Sequence, residues 1–271
     1  MNDLDIGVIY THERQWMPRL LDSLAGSSGN LKTRLILIDN ASEGGVEPYA
    51  RRFGTTRVIR NKRRLFYSAN LNQILHAASA RYTLLLNTDV YFDPEEQCVA
   101  QMASFMDSHP QCGMAGCRVY RPNGQYAYPA RRFPTFPMVL ARRLALEGLL
   151  RGTLDDYLYC GQDAAGTWPC DWIAGCFMLI RREAFQQVGD FDTRFVKYFE
   201  DVDYSLRMAQ AGWQVVHHGA TYCYHVESRS SRNLLSADAW RHLQSYLRWL
   251  RKWGVAPGRC AAPPDQLRPA A

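Results

Sequence analysis

The chain has 271 residues, 47% hydrophobic and 21% charged, an ordinary globular composition that can bury a sizeable core as one large α/β domain or two small ones. Its formal net charge of +6 suits an anionic partner, whether a sugar nucleotide, nucleic acid or an acidic membrane surface. The eight cysteines contain no CxxC pair, which argues against a zinc knuckle, and no stretch approaches the roughly 18 apolar residues that would suggest a spanning helix.

In chain order, residues 6–10 read as a buried strand. Residues 15–25 read as a helix with Trp16, Met17, Leu20, Leu21 and Leu24 on one face. A second strand, 34–38, ends at Asp39-Asn40, and Val58-Ile59 is a weaker third. Residues 68–80 form a helix with Leu71, Ile74, Leu75 and Ala78 as its apolar stripe. A fourth strand, 82–86, ends at Asn87-Thr88-Asp89, and Pro94 begins a helix in which Val99, Met102, Ala103 and Met106 repeat. Strand–helix alternation predicts a mostly parallel sheet with helices on both faces, and ligands in such sheets bind beyond the carboxyl ends of the strands. Thr11-His12-Glu13, Asp39-Asn40 and Asn87-Thr88-Asp89 all fall at those ends, which predicts a site there.

The second half is less regular. Pro122-Asn123-Gly124 is a turn between short Tyr-rich strands, residues 130–152 are basic and amphipathic, and 161–169 read as a loop. Residues 172–180 read as one strand, 182–187 and 202–211 as helices, and 214–218 and 221–225 as the final strands. A second basic amphipathic stretch covers 240–252, and the Pro- and Ala-rich tail from 257 is expected to be disordered.

Tyr10-Thr11-His12-Glu13-Arg14, Ile38-Asp39-Asn40-Ala41-Ser42, Leu85-Leu86-Asn87-Thr88-Asp89, the run from Trp172 to Phe185, and Tyr198-Phe199-Glu200-Asp201-Val202-Asp203 together resemble glycosyltransferase family 2, in its rhamnosyltransferase-like branch. The resemblance runs from about Leu4 to Ser230 and implies a GT-A, nucleotide-diphospho-sugar transferase fold with a C-terminal helical extension. On this reading residues 1–235 are the transferase domain, 1–118 the nucleotide-sugar half and 119–235 the acceptor and catalytic half. Residues 236–256 are an amphipathic helix and 257–271 a tail.

The resemblance also implies roles. Asn87-Thr88-Asp89 takes the place of the family's DxD motif, with Asp89 on Mn²⁺ or Mg²⁺, a hard cation that bridges the donor diphosphate and neutralises the leaving group. Asn87 departs from the first aspartate of that motif. Asp201 is implied as the general base that takes the acceptor hydroxyl's proton in a single displacement with inversion, with Glu200 as the other candidate. Asp201 and Asp203 also suit the capping of the helix that follows. Asp39 matches a nucleobase ligand that favours uridine or thymidine donors, and Thr11 and Glu13 would meet the nucleoside or its ribose. His225 matches an additional metal ligand, which favours Mn²⁺, or is an ordinary strand-end histidine. Trp172 and Gly175 match the acceptor side, although core packing accounts equally well for Trp172. The basic run 60–64 either holds phosphates or is a solvated face. Arg229 and Arg232 would close over the diphosphate.

The function implied is inverting transfer of a sugar from a dTDP- or UDP-linked donor, dTDP-rhamnose among them, to an acceptor hydroxyl in polysaccharide or glycolipid synthesis. The alternative is a degenerate, non-catalytic scaffold. Partners are a nucleotide-sugar and a glycan or lipid-linked acceptor. Nucleic acid is disfavoured because the basic residues are dispersed. The acidic residues of 1–5 argue against a targeting peptide. A cytoplasmic protein is expected, with the basic amphipathic helices either packed on the domain or resting on the inner membrane surface.

Overall fold

The computed structural model describes residues 2–136, 138, 139, 148, 151–226 and 237–255. The segment holding Arg229 and Arg232, most of the basic stretch after 139, and the tail from 257 lie outside these residues.

The amino-terminal half alternates as predicted: β1 (Leu4–Tyr10), α1 (Met17–Ser27), β2 (Thr33–Asp39), a short α2 (Glu47–Ala50), β3 (Thr56–Arg60), α3 (Tyr67–Ala77) and β4 (Tyr82–Leu86). All five residues of β4 are buried, so a continuous apolar run is what both covered faces demand. Gly7 in β1 lets α3 approach closely, since a Cβ there would overlap the side chain of Ile74. Asp5, wholly buried at the start of β1, ties three segments together. It accepts from Arg34 at 2.7 and 2.9 Å and from the N–H groups of Ser79 and Ala80 at 2.6 and 2.8 Å.

After β4 come β5 (Val90–Tyr91), a 3₁₀ turn (Pro94–Glu96), α4 (Cys98–Ser108), β6 (Cys112–Tyr120), β7 (Ala130–Arg131) and α5 (Arg151–Tyr157). They are followed by β8 (Thr167–Pro169), β9 (Trp172–Ile173), β10 (Phe177–Arg181), α6 (Arg182–Val188), α7 (Glu200–Gln210), β11 (Gln214–His225) and α8 (Ala237–Trp253). The main sheet runs β3-β2-β1-β4-β10-β6-β11-β5, with β8 also on β11. The strands β3, β2, β1 and β4 are parallel, β10 is antiparallel between β4 and β6, and β11 is parallel to β6. One core lies on each face of the sheet, and a third gathers Phe133, Trp172, Phe195, Phe199, Val202, Leu206 and Trp249 beneath α8.

Three details differ from the expected elements. The helix expected to start at Pro94 is interrupted at Gln97, whose left-handed φ of 48° separates the 3₁₀ turn from α4. The single strand expected over 172–180 is two, because β9 pairs with β7 in a separate sheet and β10 joins the main one. The backbone between them turns away from both ladders, and its Gly175 N–H goes to a carboxylate instead. Conversely, the two final strands are one, β11, with a bulge. His218 pairs with Cys117 and Tyr222 with the next residue, Arg118, so residues 219–221 are extra. Gly219 sits in that bulge, where a Cβ would collide with the carbonyl oxygen of Ala164.

Seven cysteines lie among the described residues, all free, and six are buried. Burial pushes the Cys98, Cys117 and Cys170 thiols well above their ordinary value, so they behave as core residues rather than nucleophiles.

Candidate active site

The carboxyl ends of β1, β2, β4, β6 and β11 open onto one cleft of about 720 Å³. β4 delivers Asn87, Thr88 and Asp89 into a turn pinned by the Asn87 N–H on the Cys176 carbonyl at 3.1 Å. β11 arrives beside it, with the Val226 N–H donating to the Asp89 carbonyl at 3.1 Å and His225 Nε2 3.1 Å from Asp89 Oδ1. Burial opposes a charge on His225, but the Cys176 sulfur and the Asp89 carboxylate outweigh it and push its pKa up to about 10. Asp89 and His225 thus stand together, one oxygen and one nitrogen that fit a divalent ion once the imidazole gives up its proton. Among the described residues no group of three or more His, Cys, Asp or Glu side chains is set to hold a metal. Asn87 is otherwise engaged, its Oδ1 accepting from the Tyr67 hydroxyl at 3.0 Å.

Opposite stands the acidic pair. Tyr198 and Phe199 both take φ of 69°, a left-handed conformation costly for bulky residues, and deliver Glu200 and Asp201 at the start of α7. The Asp201 carboxylate is held by two backbone N–H groups, Gly175 on Oδ2 at 3.0 Å and Val202 on Oδ1 at 2.9 Å. Burial raises its pKa, and those two donors pull it back. Glu200 has less support. Burial, and then the charge of Asp201, push it well above the usual carboxylate range, and its Oε2 is buried without a hydrogen-bond partner. The two N–H donors thus favour the charged form of Asp201, while Glu200 has no donor on its buried Oε2.

The donor-side residues fall into place unequally. Thr11, Glu13, Asn87, Thr88 and Asp89 line the cleft with Asn40, Arg64 and Leu65. Glu13 spends Oε2 on the N–H groups of Thr11 and His12, at 2.8 and 2.9 Å, so it shapes the loop it belongs to. Asp39 sits behind the lining with Oδ1 on the Ser42 N–H at 2.9 Å. An asparagine network sequence reasoning missed holds the Arg64–Phe66 loop. Asn40 Oδ1 accepts from Leu65 N–H (2.8 Å) and Asn61 (3.2 Å), and Asn61 donates to Asn70 (2.7 Å).

On the far wall Gly175 lines the cleft as expected, and the Tyr67 hydroxyl reaches its carbonyl at 3.0 Å. Trp172 does not line it. Its ring is buried in the third core and its Nε1 donates to the Arg132 carbonyl at 2.7 Å, so packing, the other account of this residue, describes it. Tyr67, Cys176, Arg131, Lys197, Tyr198 and Arg241 complete the lining. Cys176 and Tyr198 fall inside two of the family motifs and Lys197 directly before one, but sequence reasoning assigns none of the six a role. Arg241 comes from α8, which sequence reasoning set outside the transferase domain.

A model of "Glycosyl transferase family 2" matches residues 5–189, and one of "Glycosyltransferase (GlcNAc)" matches 153–252. An N-acetylglucosaminyl-diphospho-decaprenol L-rhamnosyltransferase of Mycobacterium tuberculosis is 25% identical over 228 residues, which cover 79% of this chain and 73% of that protein. The rhamnosyltransferase WbbL of Escherichia coli K12 is 34% identical over 89 residues, 33% of this chain and 34% of WbbL. Among solved structures, the mannosyltransferase PcManGT of Pyrobaculum calidifontis, in complex with GDP-Man and Mn²⁺, superposes with a TM-score of 0.62 at 16% identity. That match covers 94% of this chain and 66% of the other. GalNAc-T7 with UDP, GalNAc and Mn²⁺ gives a TM-score of 0.64 at 14% identity, covering 93% of this chain and 48% of its own. The fold is GT-A, the fold of transferases that take nucleotide-diphospho-sugars. The chain belongs to glycosyl transferase family 2.

Proposed function

We propose that this glycosyltransferase moves a deoxyhexose such as rhamnose, or a hexose, from a dTDP- or UDP-linked donor to a hydroxyl of a lipid-linked acceptor, with inversion. The observation that carries this reading is that the Asp89–His225 pair and the Asp201 held by two N–H groups line one cleft. Asp201, anionic and aimed by two N–H groups, accepts the acceptor's proton as that oxygen bonds to the anomeric carbon. The bond from that carbon to the diphosphate breaks, and the nucleoside diphosphate leaves. Asp89 and His225 would hold a divalent ion, Mn²⁺ by the nitrogen ligand, which supplies positive charge to the leaving diphosphate. With two protein ligands, the remaining positions fall to donor oxygens and water. Asp39, Thr11 and Glu13 are the candidate nucleoside contacts, and a carboxylate favours a base bearing an imide N–H.

The acceptor class is supported by the name of the mycobacterial relative, whose acceptor is a diphospho-decaprenol. A lipid anchor requires the protein to meet a bilayer. No helix among the described residues is long and apolar enough to cross a membrane. Helix α8 instead turns Trp240 (61% exposed) and Leu247 (47%) outward on one stripe, beside the exposed Arg241 and Arg251. That pattern suits peripheral contact with anionic lipid on the cytoplasmic face.

Asp201→Asn tests the reading. Transfer should fall at least about 10²-fold, the scale of a lost general base, while calorimetry with donor nucleotide and Mn²⁺ still shows binding. Retained turnover would remove Asp201 as the base. Loss of donor binding in Asp89→Ala is the matching expectation for the metal side.

A further inference from the structure

The cleft carries more positive charge than a donor diphosphate at Asp89 accounts for, and that charge sits on the wrong side for the donor. Arg131 from β7, Lys197 from the loop before α7, and Arg241 from α8 all line it. Two of them act electrostatically on the acidic pair: Arg131 lowers the pKa of Asp201, and Lys197 that of Glu200. Arg131 also pairs across the ladder with Trp172, three residues before the Gly175 that holds Asp201. Lys197 lies three residues before Glu200 and shares Asp238 with Arg241, so the three stand on the acceptor side of the proposed base. Arg64 belongs instead to the loop held by Asn40, on the nucleoside side.

These cations are arranged, not scattered. Asp238 takes Lys197 Nζ on Oδ2 at 2.8 Å and Arg241 Nη1 on Oδ1 at 3.0 Å, fixing two heads on one carboxylate. Both side chains remain about half exposed, at 43% and 48%, so a ligand can reach them. Ser245 Oγ donates to the Lys197 carbonyl at 2.8 Å, so α8 sets the backbone as well as the charge. Arg131 is held by its Nε on the Tyr128 carbonyl at 2.9 Å, with its guanidinium 5.0 Å from the Trp172 ring. Two of the three cations share the carboxylate of Asp238, and the third, Arg131, is held by a carbonyl and a ring rather than by a carboxylate. A neutral sugar could accept hydrogen bonds from such a wall but brings no charge to match it, whereas a phosphate does both.

We propose that Arg131, Lys197 and Arg241 form an acceptor-side subsite for a phosphate or diphosphate group, so that the enzyme selects acceptors whose first sugar is linked to a phosphorylated lipid. This rests on the reading of Asp201 as the base, because that places the acceptor at this end. Guanidinium and ammonium groups on one wall match the oxygens of a diphosphate. Arg131 lies within residues 5–189 and Lys197 and Arg241 beyond them, so two of the three residues of the subsite would come from the part of the chain that the family 2 model does not match.

The chemistry sought, a diphosphate, is also present in the donor, and the test separates the two. Calorimetry would measure geranyl diphosphate binding to the full chain with the donor site filled by dTDP and Mn²⁺, and dTDP binding with Mn²⁺ alone. Arg241→Gln and Lys197→Gln, each checked for an unchanged melting temperature, should weaken geranyl diphosphate at least tenfold and leave the dTDP dissociation constant within twofold. Arg131→Lys should bind more tightly than Arg131→Gln, since the charge survives in the first. The inference falls if geranyl diphosphate does not bind, if the variants bind it normally, or if dTDP affinity drops in parallel. Transfer to a lipid-diphospho-sugar, assayed separately with Asp201→Asn as control, reports on the proposed reaction. A silent transfer assay with intact, variant-sensitive geranyl diphosphate binding would reject the reaction and leave the subsite.

Discussion

At the scale of single residues, the acidic pair decides the pH behaviour. Asp201 must be ionised to accept a proton, and burial raises its pKa. The acid limb of kcat/KM should therefore have its midpoint above the roughly 3.9 of a free aspartate, with activity rising as pH rises through it. Glu200 has a separate consequence for stability. Its folded pKa is raised, so the contribution is fully present below its unfolded value of about 4.3 and is lost as pH rises through the folded pKa. A plot of melting temperature against pH should fall over that interval in the native protein and be flatter in Glu200→Gln. An equal slope in both would place the proton elsewhere. Asp89, Glu200 and Asp201 were legible because each follows or opens an element in a recognisable motif. Tyr67 and Cys176 were not, since a tyrosine opening a helix and a cysteine beside a strand read as core until the fold turns them toward Asn87 and Asp89.

At the scale of elements, two contacts hold the site in place. Asp5 joins the starts of β1 and β2 to the turn before β4, and Asp5→Ala would leave Arg34 Nε and two N–H groups without their acceptor and the guanidinium without its counter-charge. Chemical denaturation should register a loss of about 3–5 kcal/mol. Helix α8 clamps the strained Tyr198–Phe199 pair: the Phe199 ring lies 5.7 Å from Tyr246 and 6.0 Å from the fully buried Trp249. Trp249→Ala should cost about 3–5 kcal/mol. Because Phe199 leads directly into Glu200 and Asp201, turnover measured well below the variant's melting temperature should fall more than donor affinity. The parallel strands were legible from their apolar runs and the helices from their stripes. The division of 172–180 was not, because nothing in the sequence between Ala174 and Cys176 marks where pairing passes from β7 to β4. The role of α8 was hidden for a related reason. An amphipathic pattern says that one face is buried, and only the tertiary contacts say that Phe199 is what it buries.

At the scale of the whole molecule, the cleft joins a sheet edge built by the first half to a wall built by the second, so binding at it should couple to global stability. Donor nucleotide with Mn²⁺, at 100 times its dissociation constant, should stabilise the protein by about 2.7 kcal/mol, read as a rise in melting temperature that chelation by EDTA reverses. A rise indifferent to EDTA would separate donor binding from the metal. The outward stripe of α8 gives a second expectation: co-sedimentation with anionic vesicles at low salt, reduced in Trp240→Ser and at high salt, and unchanged if the stripe does not meet lipid. The bulge in β11 has a consequence for which changes of length this chain can accept. Before it, Val216 packs into one sheet-face core and Val215 into the other; after it, Cys223 faces the same core as Val216. The extra residues 219–221 are odd in number, and that parity turns His225 rather than Tyr224 toward Asp89. If the bulge did not absorb the change, gaining one residue between His218 and Tyr222 would set the Tyr224 phenol where the imidazole stands, and losing one would set Val226 there. Changes of length in this segment should therefore survive only where the bulge takes them up and Tyr222 keeps its place opposite Arg118, a limit that active-site chemistry imposes on a stretch outside the cleft lining.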